Sequence, residues 1–233
     1  MDIRWFLKQR LNFIRSHYDV SVSAFLDRKR RIEEGEAPFD NPPYSEDGEP
    51  SFLAEWMDAD TSIDLVGLAC VSLLSDALKL YFNLIKQEEF RFDFDESVKK
   101  VLKNGFVGAF KDALGEILDT DWVESKIDFA IIEQVVLTRN LGQHGSDLTS
   151  FRVKVDAKTI ERHPRPFFVQ PEEAEAMANG ELLVGEWLRP TLKISRASLI
   201  AAIDEVEKLS DWVEKNRDRA LPWFNARRAK RQM

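Results

Sequence analysis

Leu65-Val66-Gly67-Leu68-Ala69-Cys70-Val71, continued by Leu73, Leu74, Leu78, Tyr81, Phe82 and Ile85, decides the fold class. Apolar residues recur here at three-to-four spacing to about Glu89, which is the period of a helix with a broad buried face. Ser62 or Asp64 stands where an N-cap is expected. Downstream, Val98, Val101, Leu102, Phe106, Phe110, Leu114 and Ile117 behind Asp95 predict a second helix. Ile127, Ile131, Val135 and Thr138 behind Asp121 predict a third, running toward Leu141. Three helices in succession with short turns predict an antiparallel bundle, so the expected class is all-α.

Upstream, Trp5, Phe6, Leu11, Ile14, Tyr18, Val22, Phe25 and Leu26 mark an amphipathic helix from Ile3 to about Ile32, with a break expected near Asp19. Glu33 to Ser51 holds Gly35, Pro38, Pro42, Pro43, Gly48 and Pro50 among acids, and reads as a long exposed loop. Residues 1–60 are thus an N-terminal helix and loop, set before a body over 61–216. After Gly145 the pattern changes. Phe151-Arg152-Val153-Lys154-Val155 alternates as a strand does, and Leu182-Leu183-Val184 and Thr191-Leu192-Lys193-Ile194 are further extended candidates. A small hairpin or irregular insertion is expected at about 146–194, before the last helix of the body. Ser195 stands as the cap of that helix, whose face is Leu199, Ile200, Ile203, Val206, Leu209, Trp212 and Val213, ending near Asn216.

Composition bounds the rest. A chain of 233 residues with 44% hydrophobic content can bury a full core. The net charge of −8 argues against a surface that binds nucleic acid everywhere, yet leaves room for a local basic groove. That groove has a candidate in the basic tail over 217–233, where Arg227, Arg228, Lys230 and Arg231 follow Trp223 and Phe224. Such a composition suits phosphate attraction and base stacking, though more often it marks a solvated terminus. The single cysteine, Cys70, excludes an internal disulfide and lies in an apolar run, as a buried thiol does. Met1-Asp2-Ile3-Arg4-Trp5 lacks the plan of a secretory signal, and Ser75-Asp76 interrupts the longest apolar run short of a membrane span, so a cytoplasmic protein is expected.

The third predicted helix ends in Arg139-Asn140-Leu141-Gly142-Gln143-His144. Arginine holds phosphate in a planar fork and imidazole exchanges a proton near neutral pH, so the pair suits phosphodiester cleavage. A helix that ends in glycine also carries such residues for capping and dipole reasons. Five residues on a helix turn through roughly 140°, so Arg139 and His144 face different sides unless Gly142 or Gly145 ends the helix and redirects the histidine. Two such helices across a two-fold axis would let each arginine approach the other chain's histidine. Glu133, two turns before Asn140 on the same face, is a candidate supporting group. The carboxylates Asp93, Asp95 and Glu96, or Asp119 and Asp121, offer magnesium ligands but read more simply as helix termini, so no metal or cofactor is expected. His17 on the first helix and His163 between prolines have no partner that spacing reveals.

This six-residue motif, its place at the end of the third bundle helix and the final helix opening at Lys193-Ile194-Ser195 resemble the HEPN superfamily, over about Ser62 to His144 plus Ser195 to Asn216. The arm and the insertion depart from a minimal member. The resemblance implies an all-α, HEPN-like helical bundle that dimerises through the motif helices and, in active members, cuts RNA without metal to leave a 2′,3′-cyclic phosphate. By that likeness His144 would move the proton, Arg139 would stabilise phosphorane charge and Asn140 would orient groups at the cleft. It also implies a toxin or defence effector, with a separate antitoxin as a partner. Some HEPN-like proteins are instead non-catalytic interaction or ligand-binding modules beside a nucleotidyltransferase. There Arg139 would form an interface ion pair, with Glu133 or Asp128, and His144 a cap.

Overall fold

The computed structural model describes residues 2–43, 48–94, 105–143, 151–179 and 189–230. The chain is all-helical: α1 (Ile3–Glu34), α2 (Leu53–Leu84), α3 (Phe106–Ile117), α4 (Phe129–Gln143), α5 (Ala157–Arg162), α6 (Pro171–Ala178), α7 (Arg196–Lys215) and α8 (Leu221–Lys230), with no strand among the described residues. A π-helical turn, Ile85–Glu89, continues α2.

Helix α1 runs through Asp19 without the expected break. Its buried stripe of Leu7, Leu11, Ile14, Tyr18 and Val22 keeps helical spacing across that position. The Asp19 carboxylate is occupied by Arg196, whose Nε and Nη2 donate to its two oxygens at 2.7 and 2.9 Å, so it does not compete for the helix backbone.

Helix α2 begins at Leu53, and both expected caps are interior. Ser62 Oγ donates to the carbonyl of Asp58 at 2.8 Å, and the Asp64 carboxylate is taken by Lys193. The helical run Leu53–Glu89 is long and apolar enough to cross a membrane by length and composition, with half of its most apolar window buried in the protein. Ser75 and Asp76 therefore do not interrupt it; Ser75 is wholly buried and Asp76 points outward.

The cap expected at Asp95 lies outside the described residues; α3 opens after Gly105 and ends at Ile117. The cap of α4 is Asp128 rather than Asp121: its Oδ1 accepts from the amides of Ala130 and Ile131 at 2.9 and 3.2 Å. Asp121 instead accepts from Val123 and opens a 3₁₀ turn, Val123–Ser125. The reason lies in Trp122 and Lys126, both left-handed (φ 69° and 53°), which take the chain out of helix twice before Phe129. Trp122 is held there by Phe129 and Trp212, with ring centroids at 5.1 and 4.7 Å, and by its indole N–H donating to the carbonyl of Lys111 at 3.1 Å.

The expected hairpin reduces to one antiparallel bridge, Lys154 with Thr191. Val155 N donates to Pro190 O at 2.9 Å and Leu192 N to Val153 O at 2.8 Å beside it. The intervening chain forms α5, capped by Asp156, and α6, opened by Pro171. Leu182–Val184 lies outside the described residues. Ser195 caps α7 as expected, its Oγ accepting from Ser198 N at 3.1 Å. The described part of the basic tail, to Lys230, is a 3₁₀ turn followed by α8.

The described chain falls into two compact units. The first takes Met1–Asn12, Leu74–Leu137 and Ile200–Met233. Its core is aromatic: Phe82 stacks on Phe110 at 4.5 Å, and Phe94 and Phe106 meet Phe110 edge-on or tilted at 5.0 Å. Ion pairs of Arg4 and Lys8 with Asp211, at 2.6 and 3.0 Å, tie the start of α1 to α7. The second unit takes Phe13–Leu73 and Thr138–Leu199, with Tyr18, Cys70, Phe168, Leu192, Ile194 and Leu199 in its core.

Candidate functional site

Arg139 occupies the last turn of α4, in the second unit. The helix is described to Gln143; His144 and Gly145 follow it in sequence and are outside the described residues. Gly142 does not end the helix; it is an interior residue used for packing. A Cβ on Gly142 would stand 2.7 to 2.9 Å from Cδ1, Cδ2 and Cγ of Leu68 on α2, closer than real side chains pack. A glycine inside a helix costs about 1 kcal/mol relative to alanine, and here it lets the Leu68 side chain lie directly on the α4 backbone.

Residues three apart share a helix face, so Arg139 starts from the covered side that holds Gly142. Its Nε is buried, while its Nη1 donates to Asn140 Oδ1 at 3.3 Å. Asn140 is exposed. The stem is packed and the tip is at the surface, which is how a long cation serves both a core and a solvent-facing anion. A guanidinium so placed presents donors in the geometry that phosphate oxygens accept.

The remaining sequence candidates are spread out. Glu133 is half-buried on α4, about 10 Å before Asn140 along the helix axis by its rise per residue, so any support for Asn140 would run through an intervening group. Asp128 is committed to the opposite end of the same helix. In the first unit, Arg227 is half-buried, lies over the Trp223 ring at 5.1 Å and donates to the carbonyl of Arg91. Arg228 is exposed, Lys230 is the last residue of α8, and Arg231 lies outside the described residues. Phe224 packs on Phe90 at 6.3 Å, which docks α8 on the turn after α2.

Among the described residues no group of three His, Cys, Asp or Glu side chains is placed to share a metal ion. Asp95 and Glu96 are outside those residues. Cys70 is fully buried, and burial pushes its thiol up to about 11, so it is not poised as a nucleophile.

Two charged clusters were not foreseen from the sequence. In the second unit Lys193 Nζ lies 3.0 Å from Asp60 and 2.9 Å from Asp64, and Lys29 lies 2.6 Å from Asp60. Burial pushes both carboxyls up; the two lysines outweigh it at Asp60, which ends below its ordinary value, while Asp64, drawn down by Lys193 and less by Arg152 and raised again by Asp60, stays above. In the first unit Glu89, on the π-turn, pairs with Arg217 at 2.9 Å beside a cleft of about 730 Å³. For the Leu68 contact the available signal in the sequence was Gly142, a glycine near the end of a helical stretch.

The site and fold together define an all-α protein with an arginine–asparagine pair at the end of a closely packed helix. The chain matches no protein-family model, no curated protein and no solved structure.

Proposed function

We propose that this chain is a metal-independent endoribonuclease of HEPN type, a cytoplasmic toxin or defence effector whose composite site pairs Arg139 of one protomer with His144 of a second copy. The observation that carries the reading is Arg139 itself: its stem is packed into the last turn of α4 and its tip reaches exposed Asn140, four residues before His144 in sequence. In the reaction the ribose 2′-oxygen attacks the adjacent phosphorus, the O2′–P bond forms and the P–O5′ bond breaks. The products are a 2′,3′-cyclic phosphate and a 5′-hydroxyl. His144 takes the 2′-hydroxyl proton or delivers one to the leaving oxygen, Arg139 holds the charge that builds on the phosphorane, and Asn140 orients the phosphate or the guanidinium. Exposed Arg228 and the end of α8 are cationic groups for the RNA backbone, and a separate antitoxin would hold the activity in check.

A second reading keeps the fold and removes the chemistry. The buried Nε of Arg139 also suits a permanent ion pair at an interface, as in a non-catalytic HEPN-like module that assists a nucleotidyltransferase. Cleavage of labelled RNA in excess chelator separates the two, with wild type beside folded Arg139→Ala and His144→Ala variants of known oligomeric state. Loss of the cyclic-phosphate product in both variants supports the nuclease. An inert wild type across a broad RNA panel leaves the binding module, and cleavage that survives in both variants puts the site elsewhere.

A further inference from the structure

Within the second unit, α2 carries two consecutive residues in unusually close packing, each with a different segment. A Cβ on Gly67 would stand 2.8 Å from the Ile194 Cβ and 3.0 Å from its carbonyl oxygen, so the backbone just before α7 lies directly on α2. Leu68, the next residue, places its branched end on the backbone of Gly142. Consecutive positions on a helix point about 100° apart, so this one step holds the return segment of the insertion on one side and the motif helix on the other. Leu68 also lines a small cleft with Phe151, Arg152, Val153 and Leu192, residues from either side of the insertion.

The last carbonyls of a helix have no partner within it, so a final turn frays unless something outside it supplies contact. Gly142 and Arg139 both lie in the final turn of α4, three residues apart on neighbouring parts of one face. We infer that Leu68 is a positioning residue for the Arg139 site: seated on Gly142, it holds the last turn of α4 against α2 and sets the direction from which the guanidinium is presented. The inference rests on the ribonuclease reading for its catalytic consequence, and on the packing alone for its structural one. The contact has a definite steric sense. Gly142→Ala adds a methyl group where Leu68 sits, and Leu68→Ala empties that space.

The test is a size swap in the full-length protein. Gly142→Ala and Leu68→Ala are each expected to lower kcat on a labelled RNA by about tenfold or more with KM within about twofold, since displacing a reacting group by 1 Å costs on the order of a hundredfold. The double variant, in which the added methyl enters the vacated space, is expected to recover most of that loss. Leu73→Ala, at an exposed leucine elsewhere on α2, is the control and is expected to leave kcat unchanged. Amide exchange over residues 139–143 is read in parallel: faster in Leu68→Ala, and restored toward wild type in the double variant. Single variants with full kcat, or a double variant no better than the poorer single, overturn the catalytic positioning. If the wild type cuts no RNA, the ribonuclease reading fails, and exchange alone decides the contact: unchanged exchange in Leu68→Ala removes it.

Discussion

Glu89 Oε1 lies 2.9 Å from Arg217 Nε, yet the Glu89 carboxyl stands above its ordinary value. Burial is the larger influence and raises it, Arg217 draws it down, and Glu214 raises it again. The ion pair is therefore incomplete compensation for a carboxylate taken out of water, as expected where one partner is solvent-exposed. A carboxyl whose folded value exceeds its unfolded one contributes stability that is present below the unfolded value and lost as pH rises through the folded one. The expected outcome is that Glu89→Gln gains stability relative to wild type as pH climbs out of the ordinary carboxylate range. Urea unfolding across mildly acidic to neutral pH measures it; a wild type that gains on the variant over that window contradicts it.

The start of α4 gives a prediction that distinguishes two aspartates of similar promise. Asp128 accepts from two helix amides, and its own amide donates to Glu205 Oε2 at 2.9 Å. Asp121 accepts from a single exposed amide of a short turn. Asp128→Ala is expected to destabilise the protein by about 1 kcal/mol, and Asp121→Ala by a few tenths. Equal midpoints for the two variants in chemical denaturation would falsify this assignment of the cap.

Charge alone is not what Arg139 is expected to supply. Lysine keeps the positive charge but loses the fork and the rigid reach to Asn140 Oδ1. If the chain is the proposed ribonuclease, Arg139→Lys is expected to fold as wild type and to lose about ten- to a hundredfold in kcat on RNA, with less change in KM, because the lost donors would act on charge formed in the transition state. Single-turnover cleavage measures this directly. A lysine variant with wild-type turnover would reduce the role of Arg139 to nonspecific attraction.

Apolar spacing was sufficient to locate the long helices, though not α5, α6 and α8, where a hairpin and a basic tail were expected. Leu7 to Val22 on α1, the long run of α2 and Leu199 to Val213 on α7 all lie on faces whose burial follows the three-to-four period. Burial of one face is a local consequence of side-chain chemistry, so the all-α class was legible before any contact was known. The Ser195 cap was legible too, because its acceptor and the amide it serves are three residues apart.

Tertiary structure decided which polar groups were used and for what. Ser62, Asp64 and Asp121 have the chemistry of caps, but Asp64 is claimed by Lys193, Ser62 turns back on its own helix, and the buried indole of Trp122 moves the start of α4 to Phe129. Gly142 reads in sequence as a candidate helix stop; the Leu68 side chain, packed on it, makes it a gap for a neighbour instead. An amide or carboxylate can be satisfied by many partners at comparable cost, and the winner is set by residues distant in sequence that packing brings within 3 Å. The sequence by itself determined a helical chain with an arginine at the end of its motif helix. Only the packed structure decided that the stem of this arginine is held beside a glycine that Leu68 covers.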